Sequence, residues 1–161
     1  MYLTVEEARK KFHLAIIGEG STIGKGSTIR KDAIIGQGST IEQGATIGQG
    51  STIRQGAIIG QGAFIGKGAT IEQGATIGQD RKNVKKSIVI SSPYIMGETG
   101  KLTGFNCDDG LIITCGCFND WRGGTPGELR EAVISKYGED HFYISAINLI
   151  ENWFKKLGES K

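Results

Sequence analysis

Isoleucine recurs at every sixth position over the first half of the chain, from Ile17 to Ile77, without a break. In this stretch the residue two positions before each isoleucine is serine or alanine, and the residue three positions after it is glycine or aspartate. Because side chains alternate along a strand, the isoleucine and the small residue face the same side, and a glycine suits a tight corner with positive φ. The pattern predicts very short strands that stack at a fixed period, each covering the apolar side of the next.

This six-residue period resembles that of the hexapeptide-repeat family, whose members form a left-handed parallel β-helix with three hexapeptides in each triangular coil. For the eleven isoleucines the resemblance implies between three and four coils. We therefore expect a mainly β protein in three parts. These are an N-terminal capping helix (residues 1–16), the left-handed β-helix (17–80) and a small C-terminal α+β domain of three strands and two helices (81–161).

The N-terminal segment carries a signal for a helix that closes the β-helix. Thr4 and Glu7 have the spacing of a capping box, and apolar residues follow at helical spacing. The helix is predicted over residues 4–12. It would cover the first coil, whose sheet edge would otherwise present unpaired backbone groups.

The tail after the repeat has the pattern of a small α+β unit. Residues 81–86 are interpreted as a basic connector, and the dipeptide at 109–110 is Asp-Gly, a strong hairpin signal. Strands are predicted at 87–91, 101–107 and 111–118, and helices at 126–137 and 142–157. The first of these helices begins at a second capping box, residues 125–128.

Residues 88–157 also resemble a segment of uncharacterised phage and prophage proteins. The residues that carry this resemblance are Gly116, Cys117, Phe118, Gly124, Thr125, Glu128, Leu129, Val133, Tyr137, Gly138, Tyr143 and Ile147. The resemblance implies a phage or prophage origin and assigns no activity.

Catalysis in this family requires particular residues and loops, and the sequence of the repeat shows whether they are present. The resemblance implies acyl transfer as the commonest activity, which uses a histidine base and a loop extruded from one coil. The two histidines, His13 and His141, lie outside the repeat, and no coil contains an insertion. The family's carbonic anhydrases need three histidines for each zinc ion. We therefore expect no catalytic residue, no metal and no cofactor, with an acyltransferase as the alternative.

The residue before each isoleucine faces outward, and it is threonine in most repeats. Four of these outward positions are instead large and apolar: Ile16, Ile34, Ile58 and Phe64. Members of the family are usually homotrimers, so we expect these four side chains to contact neighbouring subunits. The alternative is that they are single exposed apolar residues, which need no partner.

Two places could hold a small anionic ligand. The run Trp121, Arg122, Gly123, Gly124 and Thr125 combines a stacking face, a guanidinium fork and a helix start with free backbone N–H groups. Seams between subunits could recruit Arg30 and Arg54, with lysines at positions 25, 31 and 67. The alternatives are a capped loop with an anchoring tryptophan and solvated charges at the corners.

Charge and cysteine content restrict the partners and the location. The formal net charge of +2 at pH 7 predicts no nucleic-acid polymer as a partner. No apolar run is long enough to cross a membrane, and the N-terminus is acidic where a signal peptide would be basic. Cys107, Cys115 and Cys117 are interpreted as free thiols, so we expect a cytoplasmic protein, in the host cell if phage encoded.

These features lead to one hypothesis of function. The protein is expected to be a non-catalytic homotrimeric scaffold that sequesters a small anionic ligand, such as a cyclic nucleotide, or a host factor, and so counters host defence. The alternatives are a hexapeptide-repeat acyltransferase and a structural component of a virion.

Overall fold

The computed structural model describes residues 1–91, 101–115 and 122–159. The N-terminal cap consists of strand β1 (Tyr2–Leu3) and helix α1 (Val5–Lys11). The coils are built from β2 (Ile16–Ile17), β3 (Thr22–Gly24), β4 (Thr28–Ile29), β5 (Ile34–Ile35), β6 (Thr40–Ile41), β7 (Thr46–Ile47), β8 (Thr52–Ile53), β9 (Ile58–Ile59), β10 (Phe64–Ile71) and β11 (Thr76–Ile77). The tail contains β12 (Val84–Ser91), β13 (Lys101–Cys107), β14 (Gly110–Cys115), α2 (Pro126–Tyr137) and α3 (Phe142–Glu159).

The repeat folds into a left-handed parallel β-helix of about four turns, which confirms the predicted fold class. Strands three repeats apart pair in parallel, so that β3, β6, β9 and β11 form one face. A second face stacks β2, β5 and β8 onto the C-terminal half of β10, and the third stacks β4 and β7 onto its N-terminal half. All three faces are those that the six-residue period predicts.

The inward positions of the coils form the core. Each of the eleven repeat isoleucines is at most 6% exposed. The inward serines are also buried, and their hydroxyl groups donate to backbone carbonyls, as from Ser39 to the Arg54 oxygen at 2.9 Å and from Ser51 to the Gly48 oxygen at 2.7 Å. A small polar residue is therefore tolerated inside because its hydrogen bond is satisfied.

The N-terminal cap closes the first coil. The predicted helix is present, with both hydrogen bonds of the capping box between Thr4 and Glu7 and with Ala8 fully buried. Strand β1 was not foreseen from the sequence, and it pairs antiparallel with β3. Arg9 fastens α1 to the coil through two hydrogen bonds to the Ile17 carbonyl, at 2.8 and 3.0 Å.

At the other end, the three strands of the tail form an antiparallel sheet that continues the β-helix. Strand β12 pairs in parallel with β10 and antiparallel with β13, which pairs with β14. Alternate residues then face opposite ways: Phe105 and Ile112 close the core of the β-helix, while Leu102 and Ile113 pack against α2 and α3. Gly104 allows this second contact, because a Cβ atom there would collide with Cγ2 of Ile150.

Some predicted boundaries in the tail are wrong. The connector at 81–86 is extended from Val84 onward, because Val84 is buried opposite Ile65 and the two following lysines are exposed. The strand predicted at 111–118 is described as far as Cys115, and residues 116–118 lie outside the described residues. Helix α2 has its predicted bounds, and α3 continues two residues beyond 157. None of the helices in the described part of the chain is long and apolar enough to span a membrane.

Candidate functional site

An open cleft of about 610 Å³ lies where the last coil, the β13–β14 turn and the start of α2 meet. Its lining residues are Arg81, Asp109, Ile112, Arg122, Gly123, Gly124, Thr125 and Glu128. The cleft therefore contains four of the five residues of the predicted 121–125 site. The fifth, Trp121, lies outside the described residues.

Arg81 joins the three segments that form the cleft. Its backbone carbonyl accepts a hydrogen bond from Phe64 N–H on β10 at 2.7 Å. Its guanidinium donates to the Asp109 carboxylate at 3.2 Å and to the Arg122 carbonyl at 2.8 Å. The Nε atom is buried and has no hydrogen-bond partner among the described residues. Sequence reasoning placed Arg81 in a connector and missed this role, because its partners are 28 and 41 residues away.

The loop that carries Arg122 is fixed in place by its glycines. Gly124 and Ile113 exchange two backbone hydrogen bonds, at 2.8 and 3.0 Å. Gly123 has a φ of +72°, and a Cβ atom there would collide with the Ile113 carbonyl. On the other side, a Cβ atom on Gly78 would meet the Arg122 carbonyl oxygen at 2.6 Å. The loop thus lies directly against the last coil, and any side chain at 78 or 123 would displace it.

The Arg122 side chain is exposed and lines the cleft. In the described part of the chain its guanidinium takes part in no hydrogen bond or ion pair. Among the described residues it is therefore a charged donor group that is available to a ligand. Arginine presents its donors in a planar fork that matches a carboxylate or a phosphate.

The start of α2 offers a ligand fewer backbone N–H groups than the sequence suggested. Thr125 N–H donates to Glu128 Oε2 at 2.7 Å, and Glu128 N–H donates to Thr125 Oγ1 at 3.3 Å. Pro126 has no N–H. This helix start therefore presents fewer free N–H groups than expected, because its capping box uses those of Thr125 and Glu128. The hydrogen bonds that Thr125 N–H and Thr125 Oγ1 donate to the Glu128 carboxylate, with a smaller contribution from Arg81, hold the pKa of Glu128 below its ordinary value of 4.5.

The charges that line the cleft are balanced. Arg81 and Arg122 contribute two positive charges, and Asp109 and Glu128 contribute two negative charges. The carboxylates were not singled out from the sequence. They lie near the arginines only because the β13–β14 turn and the first turn of α2 meet at this point.

The other predicted residues lie on the β-helix, away from the cleft. Arg54 pairs with Glu72 at 3.6 Å, and the Arg30 guanidinium lies 6.0 Å from the centre of the Phe64 ring. The four predicted interface residues are distributed over three faces. Ile16 and Ile34 are stacked neighbours on one face, Ile58 is on the second, and Phe64 is on the third.

The two histidines lie in different surroundings, neither of them on a coil. His13 lines a hollow of about 120 Å³ with Phe12 and Ile29. His141 precedes α3, where its Nδ1 accepts from Tyr143 N–H at 3.3 Å and its ring stacks on Tyr137 at 4.6 Å between centroids. Among residues 1–91, 101–115 and 122–159, no group of three or more metal-ligating side chains is found.

Cys107 lies at the end of β13, near the cleft, and carries a thiol group. Burial raises the pKa of its thiol above the ordinary value, so the thiolate is disfavoured. Cys115 lies at the end of β14, and Cys117 falls outside the described residues.

Comparisons with known proteins identify the repeat. Residues 15–49 match the family model described as bacterial transferase hexapeptide (six repeats), and residues 56–80 match that of the hexapeptide repeat of succinyl-transferase. These matches support the hexapeptide-repeat resemblance. Neither extends beyond Asp80, and the resemblance of residues 88–157 to phage proteins gains no support. No curated protein and no solved structure matches the chain.

Proposed function

We propose that this hexapeptide-repeat protein is a non-catalytic, homotrimeric scaffold that binds a small ligand through an anionic group at Arg122. One observation carries the proposal: the Arg122 guanidinium is exposed in a cleft, unpaired among the described residues, and mounted on a loop that is fixed on both sides. The backbone at this position is held by hydrogen bonds and close contacts, and the guanidinium offers charged donors to a complementary anion.

The coils support a scaffold more than an enzyme. From Ile17 to Ile77 each strand follows the last at the same six-residue interval, with no extruded loop to wall a catalytic site. The outward positions are mostly threonine, and the corner side chains point to solvent. His13 and His141 lie outside the repeat, before its first isoleucine and after its last one. Specificity for a ligand is therefore assigned to the C-terminal tail, residues 81–161.

Isothermal titration calorimetry tests the proposed site. The titrants are cyclic nucleotides, nucleotide sugars, simple carboxylates and amino acids, with Arg122→Ala beside the wild type and Lys85→Ala as the control. Lys85 is exposed on β12 and does not line the cleft. We expect Arg122→Ala to weaken binding by about tenfold or more, the effect of removing a charge-assisted hydrogen bond, and Lys85→Ala to leave it unchanged. Equal binding by both variants would exclude Arg122 as the ligand contact.

The same titrations bear on the wider role. Binding of a cyclic nucleotide would support the sequestration of a host signal and, with it, a role against host defence. If no titrant binds, the small-ligand function fails and a structural role is favoured. Native mass spectrometry of the purified protein adds a second observation, because a sequestering protein is expected to retain its ligand.

An acyltransferase is the second candidate, and the descriptions of the two matching family models favour it. Acyl transfer needs a general base within hydrogen-bonding distance of the acceptor. Turnover of acetyl-CoA that His13→Ala or His141→Ala abolishes would establish this activity and exclude the non-catalytic scaffold. Absence of turnover over a panel of amine and hydroxyl acceptors is the expected result.

A further inference from the structure

The acidic half of the cleft restricts the kind of ligand that fits there. Asp109 is 58% exposed at its side chain although it pairs with Arg81. Glu128 is also exposed, and Thr125 holds its carboxylate at the mouth of the cleft. Both carboxylates therefore keep oxygen atoms that a ligand can reach.

A ligand with several negative charges meets opposing forces in this cleft. A phosphate chain that pairs with Arg122 would also lie close to two carboxylates, and like charges brought together oppose binding. The Arg81 guanidinium cannot offset this fully, because Asp109 and the Arg122 carbonyl already accept its hydrogen bonds. Among the described residues that line the cleft, two positive and two negative charges cancel, so these residues supply no excess of positive charge to hold a polyanion.

We infer that the cleft takes a zwitterionic ligand of the α-amino acid type. Its carboxylate pairs with Arg122, and its ammonium group pairs with the carboxylates of Asp109 and Glu128. This inference rests on the proposed function and specifies the ligand of the same site. A zwitterion leaves the charge balance of the cleft unchanged, and both of its charged ends have a partner.

The remaining lining suits the uncharged part of such a molecule. Ile112 borders the cleft with the 3% of its surface that the β-helix core leaves exposed, and Gly123 and Gly124 have no side chains to fill the space. The volume of about 610 Å³ is within the range of about 300–1,000 Å³ that is typical of small-molecule sites. An amino acid with an aliphatic side chain is therefore accommodated.

Three probes that share one side chain test the inference by calorimetry. L-Leucine carries both charges, isocaproate carries only the carboxylate, and isopentylamine carries only the ammonium group. ADP is the polyanionic probe. We expect L-leucine to bind about tenfold more tightly than either single-charge analogue, since each lacks one charged contact, and ADP to bind more weakly than L-leucine.

A variant that removes one carboxylate charge gives a second test. The direction in which the affinity for each probe changes decides its outcome. Glu128→Gln keeps the capping box, in which glutamine replaces glutamate, and removes one negative charge from the cleft. We expect it to weaken L-leucine binding by about threefold, the effect of an exposed ion pair. The same variant should strengthen the binding of isocaproate and ADP, because it removes a repulsive carboxylate. Glu131→Gln, on an exposed position of α2 outside the cleft lining, is the matched control and should change neither.

The outcomes separate this inference from the proposed function. Tighter binding of ADP or isocaproate than of L-leucine, with a further gain in Glu128→Gln, overturns the zwitterionic ligand and leaves an anion site at Arg122. Loss of ADP and isocaproate binding in Arg122→Ala would then confirm that anion site. Absence of binding by all four probes overturns the zwitterionic ligand, and the proposed function fails with it if the cyclic nucleotides and nucleotide sugars do not bind either.

Discussion

At the corners of the β-helix, one residue in each repeat adopts a left-handed backbone conformation. Glycine occupies nine of these corners, with φ between +66° and +81°, and aspartate occupies the other two, Asp32 and Asp80, with φ of +61° and +55°. A Cβ atom makes this conformation unfavourable, although aspartate tolerates it better than most residues. The corner positions are therefore constrained by backbone geometry, whatever side chain they present to solvent.

Asp32 allows this constraint to be measured. Asp32→Ala should lower the free energy of unfolding by about 1 kcal/mol, because alanine lacks the polar side chain that helps aspartate adopt positive φ. Asp32→Gly should be at least as stable as the wild type, since glycine adopts the conformation without strain. Urea denaturation of the three proteins gives the comparison. Equal losses for alanine and glycine would show that contacts of the Asp32 side chain, and not its backbone, matter at this corner.

At the scale of elements, two helices begin with the same hydrogen-bonded exchange. Thr4 with Glu7 and Thr125 with Glu128 each form a complete capping box. In α1 the hydrogen bonds that Thr4 donates hold the pKa of Glu7 below its ordinary value of 4.5. Because α1 covers the first coil, the charged form of Glu7 contributes to the closure of the β-helix as well as to the helix itself.

This lowered pKa predicts an acid-dependent contribution. A carboxyl group whose pKa is lower in the folded state stabilises the fold above its unfolded pKa, and the contribution is lost as the pH falls through the folded value. Glu7→Gln retains the capping geometry but cannot ionise. We therefore expect the wild type to be more stable than Glu7→Gln at pH 7, with the difference shrinking as the pH falls below 4.5.

Thermal unfolding at a series of pH values measures this difference. Glu6→Gln is the matched control, because Glu6 lies in the same helical turn and its carboxylate accepts no hydrogen bond from the described residues. A difference between wild type and Glu7→Gln that stays constant down to pH 3 would contradict the assigned role of the charge.

The elements also show what could be predicted from the sequence. The coils, the corners and both capping boxes follow local patterns, so their positions were predictable. Strand β1 has two residues, too few to form a pattern, and it exists only because β3 offers an edge. The start of β12 was hidden because Lys85 and Lys86 suggest a connector, although Val84 continues the inward alternation.

The candidate cleft was predictable only in part, for a related physical reason. The 121–125 run stood out through its residue types. The roles of Arg81, Asp109 and Glu128 depend on which segments the fold brings together, and no spacing in the sequence indicates this. At the start of α2 the error has a different cause, because the capping box there is a local pattern that the sequence does show. Its hydrogen bonds use N–H groups that the prediction had counted as available to a ligand.

At the scale of the whole molecule, both ends of the β-helix are closed while its sides are flat. Strand β1 and helix α1 cover one end, and the β12–β14 sheet covers the other with Phe105 and Ile112 inside the core. These elements cover backbone groups of the first and last coils that would otherwise be available for further strand pairing. Self-association is expected to occur sideways, through the faces, and to give a closed assembly.

The exposed apolar residues of the coils indicate which face takes part. Ile16 is 66% exposed and lies directly beside Ile34, which is 41% exposed. The two form a continuous apolar area at one end of a face, whereas Ile58 and Phe64 stand singly on the other faces. In a threefold assembly, each subunit contacts one neighbour with one face and the second neighbour with another, so residues on different faces can belong to the same interface.

Light scattering on the purified protein tests this assembly. We expect a mass of about three times 17.2 kDa for the wild type. The double variant Ile16→Glu with Ile34→Glu should shift the mass toward the monomer, because it would bury unpaired charges in the interface. Leu149→Glu is the matched control: Leu149 is 58% exposed on α3 and outside the coils, so the trimer should persist. A monomeric wild type would refute the trimer, and a trimer that survives the double variant would place its interface on another face.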